Sequence, residues 1–63
     1  MKRHFELRLW DFKQDRVIKY AEADAVSFRG VYNTDSYRWI KMELDKLKPK
    51  DKRYELEISE VLT

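Results

Sequence analysis

Ser36-Tyr37-Arg38-Trp39-Ile40-Lys41-Met42-Glu43-Leu44-Asp45-Lys46-Leu47-Lys48 carries two competing periodicities, and the architecture turns on which of them forms. Ile40, Met42 and Leu44 alternate with Lys41, Glu43 and Asp45 without a miss, which is the period of a half-buried strand. The same residues also carry a helical stripe of Tyr37, Ile40, Leu44 and Leu47, with Thr34 placed to cap it and Pro49 to follow its end. Propensity sides with the helix, because Lys, Met, Glu and Leu dominate. A helix leaves Trp39 and Met42 outside its stripe; a strand turns Met42 inward and leaves only Tyr37 and Trp39 outside. Pattern weighed above propensity predicts a strand.

The flanks point the same way. In His4–Phe12, Phe5, Leu7 and Leu9 fall on one face and Glu6, Arg8 and Trp10 on the other. A polar break at Lys13-Gln14-Asp15-Arg16 precedes Val17-Ile18-Lys19-Tyr20, which predicts a hairpin. Its turn has no glycine, so a four- or five-residue loop is expected rather than a two-residue one. Ala25-Val26-Ser27-Phe28 is read as a short strand, with a helical turn as the alternative, and Gly30 opens a turn through Asn33-Thr34-Asp35. Tyr54, Leu56 and Ile58 alternate with Glu55, Glu57 and Ser59, and Val61-Leu62 extend that strand. Leu47-Lys48-Pro49 followed by Tyr54 resembles the strand–turn–strand corner of fibronectin-type sandwiches. The expected fold is all-β, four to five short antiparallel strands in a small barrel or sheet. The alternative is α+β, in ββαβ order with a helix at about 35–47.

Sixty-three residues make one small domain, 1–63, with little core to spare. With no cysteine, disulfides and thiolate zinc sites are excluded, and a partner or a second copy becomes the expected support. Lys2 and Arg3 lead into Glu6, Arg8 and Asp11 with no apolar signal-peptide core, and no stretch is apolar enough to span a membrane. A cytoplasmic protein is expected. Charged residues make up 41% of the chain but nearly cancel at +2, a salted surface rather than the footprint of an obligate nucleic-acid binder.

Catalytic chemistry has no foothold in these residues. His4 is the single histidine and reads as a solvated surface residue. Ser27, Ser36, Ser59, Thr34 and Thr63 have no base at motif spacing, and one glycine cannot form a phosphate-cradling loop. Glu55 and Glu57 read as a solvated strand face. No enzyme activity, cofactor or metal is expected.

What remains is surplus aromatic surface. Under the strand reading, Trp10, Tyr37 and Trp39 share the outer face of one sheet, flanked by Arg8, Arg38 and Lys41. Aromatics with arginine are what interface centres are enriched in. A protein partner is therefore expected at that face, and a second copy would bury it in an isologous dimer. The alternative is weak nucleic-acid binding by a basic loop of Lys46, Lys48, Lys50, Lys52 and Arg53, with Trp10 and Trp39 as stacking platforms.

Val31-Tyr32-Asn33-Thr34 followed by Ile40-Lys41-Met42-Glu43-Leu44-Asp45-Lys46 is similar to the C-terminal half of the small uracil-DNA glycosylase inhibitors of Bacillus phages, and the Phe28…Tyr32 spacing resembles a pair in that family's contact helix. Arg29 stands where that family carries a contacting glutamate, and this chain is net basic where a DNA mimic is acidic. What the resemblance implies is a class, a compact phage-sized inhibitor or adaptor acting by protein contact.

Overall fold

Phe5, Leu7 and Leu9 line one face of the first strand, and what covers them sets the architecture. The computed structural model describes residues 1–47 and 52–62. The elements run β1 (Arg3–Asp11), β2 (Arg16–Ala25), α1 (Phe28–Val31), α2 (Asp35–Lys46) and β3 (Tyr54–Val61). The strands form one antiparallel sheet in the order β2-β1-β3, with β1 at its centre. Both helices follow β2, and α2 packs mainly over β2 while also touching β1 and β3.

The chain is therefore α+β in ββαβ order, and the all-β expectation is corrected. Residues 35–46 are a helix because two requirements coincide there. Thr34 accepts a hydrogen bond from the Tyr37 N–H (3.2 Å), and Asp35 and Lys46 place opposite charges at the appropriate ends. Tyr37, Ile40 and Leu44 then meet the inner face of the sheet, Ile40 with no exposure at all. A further strand would have extended the sheet and left Phe5, Leu7 and Leu9 facing water; a helix makes the second layer that buries them. Met42, inward under the strand reading, is 58% exposed.

The short strand expected at 25–28 is also corrected. Ala25 ends β2 instead, and Phe28–Val31 form a single helical turn capped by Ser27, whose side chain accepts from the Gly30 N–H at 3.2 Å. A Cβ on Gly30 would stand 3.3 Å from the Cβ of Ala25, so glycine and alanine together permit the close approach of α1 to β2. The corner expected from Leu47 to Tyr54 joins a helix to a strand, not two strands. Lys48, Pro49, Lys50 and Asp51 lie outside the described residues.

The hairpin loop has four residues, within the four or five expected, but runs Phe12–Asp15, one position before the break at 13–16. It is closed by Asp15 at φ 56°, a left-handed conformation that aspartate tolerates. The register slips between Leu9 and Trp10: Leu9 faces Lys19, whereas Trp10 faces Val17. That extra residue is a β-bulge.

Below this turn lies Asp11, 1% exposed. It accepts hydrogen bonds from the Lys13 and Gln14 backbone N–H groups (2.9 and 3.3 Å) and from Gln14 Nε2 (3.0 Å). Arg53 completes the shell with a bidentate contact, Nε to Oδ1 at 3.0 Å and Nη2 to Oδ2 at 2.9 Å. One carboxylate thus fixes the hairpin turn and ties it to the start of β3.

The buried core is Phe5, Leu7, Leu9, Ala23, Ala25, Val31 and Ile40, with Ile18, Ala21, Tyr37, Leu44, Tyr54, Leu56 and Ile58 half-buried around it. Leu56 belongs to that half-buried ring because β3 is an edge strand. Leu56→Ala should cost about 1–2 kcal/mol, below the range for a fully buried leucine. Urea denaturation with an unchanged m-value would register it.

Candidate interaction surfaces

The two sides of the sheet present different chemistry, beginning with the face that no helix covers. Its residues are those of β1 pointing away from the core, His4, Glu6, Arg8 and Trp10, with their partners on β2 and β3. His4 lies between Asp24 and Glu22, its Nδ1 and Nε2 each 2.7 Å from a carboxylate oxygen. Bonds from both ring nitrogens to carboxylates require the doubly protonated imidazolium. The hydrogen bond to Asp24, then that to Glu22, raises the His4 pKa above its ordinary value. Arg8 donates to Glu6, to Glu57 (3.2 Å) and to Ser59 Oγ (2.8 Å). The Tyr20 hydroxyl donates to Glu6 (2.8 Å), and that bond holds the phenol pKa up to about 12. These side chains satisfy one another across three strands. Trp10, half-buried, sits at the end of the face between Val17 and Glu55.

The helical side is the reverse. Its outward surface carries Phe28, Tyr32, Trp39 and Met42, which are 46%, 53%, 45% and 58% exposed. Phe28 stands edge-on to Phe5 (ring centroids 4.9 Å apart), with the Arg3 guanidinium over both rings. Glu60 grips that guanidinium through two bonds of 2.6 Å. Tyr32 stands edge-on to Tyr37 at 4.8 Å, so Tyr37 is half-buried and serves as the bed for Tyr32. Trp39 and Met42 are three residues apart on α2, hence neighbours on its surface. Around them run the ion pairs Arg38–Asp35 and Lys41–Asp45, both 2.8 Å, and Lys46–Glu43 at 2.9 Å.

The face expected from the sequence is thus divided. Trp10 and Arg8 lie on the open side of the sheet; Tyr37, Trp39, Arg38 and Lys41 lie on the helix that covers the other side. The three aromatics do not form one patch, because the helix replaced the strand that would have aligned them. Met42 was missed for the same reason, and its signal was the helical stripe, which places Met42 and Trp39 outward together. Phe28 and Tyr32 were missed because 25–28 was read as a strand and the residues after Gly30 as a turn.

The basic loop is divided as well. Lys46 ends α2 and is paired with Glu43, Lys52 is exposed, and Arg53 is held by Asp11. Lys48 and Lys50 lie outside the described residues. Among the described residues no cavity opens, no group of three His, Asp or Glu side chains converges as a metal site, and no helix is long and apolar enough to cross a membrane.

No protein-family model matches the chain, and neither a curated protein nor a solved structure does.

Proposed function

We propose that this domain is a non-catalytic protein-binding module whose contact surface is the outward side of its helical layer. The observation that carries the reading is the exposure of Trp39 and Met42, side by side on α2, in a chain with so little apolar surface to spend on its own core. Aromatic residues, methionine and arginine are the types enriched at interface centres, and the ion-paired Arg38 and Lys41 supply a polar rim. Tyr32, seated on Tyr37, is a separate exposed aromatic of the helical layer. The open sheet face offers less, because its charged groups already have partners within the domain.

Affinity capture from extracts of the source cells, followed by titration of the purified captured protein, tests this reading. Trp39→Gln with Met42→Gln should weaken binding tenfold or more, the effect of losing an interface anchor. Neither residue belongs to the buried core, so the variant should keep its circular dichroism. Glu55→Lys, on the open face, should bind as the wild type does. Equal affinity of the helix variant and the wild type would remove the surface from consideration. In the nucleic-acid alternative, Trp10 and Trp39 would act as stacking platforms from opposite sides of the sheet. A steep loss of DNA binding with rising salt is the outcome that would favour it.

A further inference from the structure

The sheet has two edges, and the chain treats them differently. On β2, the Glu22 carbonyl accepts from Ser36 Oγ (2.6 Å), the bulge opposite Leu9 and Trp10 kinks the strand, and Arg16 and Lys19 add cations. Those are recognised protections against edge-to-edge pairing. β3 has neither the bulge nor the cations, and its charges are the carboxylates Glu55, Glu57 and Glu60, the last held on the helical side by Arg3. Its eight residues, Tyr-Glu-Leu-Glu-Ile-Ser-Glu-Val, contain no lysine and no proline, and its register with β1 runs unbroken from His4–Val61 to Asp11–Tyr54.

The phase of that ladder shows which groups β3 leaves free. The Phe12 N–H donates to the Arg53 carbonyl at 2.8 Å, one step beyond the Asp11–Tyr54 pair. Antiparallel pairs alternate between bonded and non-bonded. Counting in twos from Phe12–Arg53, the bonded pairs are Trp10–Glu55, Arg8–Glu57, Glu6–Ser59 and His4–Val61. The main-chain N–H and C=O groups of Tyr54, Leu56, Ile58 and Glu60 therefore point away from β1. Among the described residues none of them is engaged from that side.

We propose that this edge pairs with the same edge of a second copy, antiparallel about a two-fold axis at Ile58, to give a continuous six-stranded sheet. The side chains select both the occupant and the register. An axis at Glu57 would set Glu57 directly against its own symmetry mate. An axis at Ser59 would shorten the paired segment. The axis at Ile58 sets Ile58 against Ile58, Leu56 against Glu60 and Tyr54 against Leu62 on the helical side. On the open side it sets Glu57 against Ser59 and Glu55 against Val61. No two carboxylates stand opposite each other, and each Glu57 keeps its own Arg8. The main-chain groups of Ile58 form a bonded pair with their mates, and inner and outer faces stay continuous across the junction. With α2 packed mainly over β2, at the far edge of the sheet, the helical layers of the two copies stand back from the axis. This contact is separate from the proposed helical binding surface, and either can fail without the other.

Sedimentation equilibrium over a wide concentration range should show a reversible dimer dissociating in the micromolar range. A synthetic chain N-methylated at Ile58 loses one outward donor while retaining every side chain. It should dimerise at least tenfold more weakly with an unchanged circular dichroism spectrum. In a chain otherwise free of cysteine, Glu57→Cys with Ser59→Cys places each thiol opposite its complement in the partner, where non-bonded pairs stand about 4.5 Å apart between Cα atoms. Oxidation with glutathione disulfide should yield a covalent dimer, whereas Glu55→Cys with Glu57→Cys should yield far less. A wild type that stays monomeric at every concentration overturns the proposal, as does an N-methylated chain that dimerises like the wild type. Equal cross-linking of the two cysteine pairs overturns the register.

Discussion

Leu7→Ala should leave most of the population unfolded at 25 °C. Leu7 lies midway along the central strand with no exposed surface, opposite Ala21 on β2 and Ile58 on β3. Truncating a fully buried leucine costs about 2–5 kcal/mol, the lost transfer free energy plus the cavity left behind. Alanine at position 21 cannot expand into that space. A core of this size supplies roughly 3–5 kcal/mol in total, so the substitution consumes most of it. Far-UV circular dichroism and urea denaturation should show a small native fraction without denaturant. Leu7→Met, which conserves volume, should cost less than about 1.5 kcal/mol and keep a cooperative transition. A cooperative Leu7→Ala melt close to that of the wild type would mean that β1 does not bury this face.

The second large effect is at Asp11. Arg53, followed by the Gln14 and Lys13 N–H groups, holds its carboxyl at about 2, well below the usual aspartate value near 4. A carboxylate lowered on folding stabilises the native state above its unfolded pKa, and that contribution disappears as pH falls through the folded value. The wild type should therefore lose stability between about pH 4 and pH 2. Asp11→Asn removes the charge that Arg53 contacts, and its stability curve should flatten across that window. Some slope should persist there, because Glu43 and Glu60, paired first with Lys46 and Arg3 respectively, are also lowered. Asp11→Ala should be the worse variant, since it removes the acceptor of two turn N–H groups as well as the carboxylate that Arg53 contacts. Urea midpoints measured from pH 2 to pH 6 give the comparison. An Asn variant with the wild-type acid slope would show that the pair does not act as described.

The elements that were legible in sequence are those whose pattern admits one period. Phe5, Leu7 and Leu9 alternate as a strand and as nothing else, and the same holds for Tyr54, Leu56 and Ile58. The glycine-free break at residues 13–16 also implied the loop length correctly. Residues 36–48 satisfy both periods, so local pattern could not choose between them. The choice rests on the need to cover β1, which belongs to the whole chain. Ala21, Ala23 and Ala25 are good helix formers, yet they lie in β2, where small side chains let the helices settle onto the sheet. Arg53 looked like part of a basic loop because its partner, Asp11, stands 42 positions away. Trp10 and Trp39 were both expected to face away from the core, and each lies outside it. The helix separated them, and with that it changed which residues can form one contact surface.

The binding surface itself is best tested by mapping amide shifts across the domain on titration with the captured protein partner. Perturbations should centre on Arg38, Trp39 and Met42, with the amides of Val17, Trp10 and Glu55 little changed. Shifts confined to the open sheet face, with α2 silent, would contradict the helical binding surface.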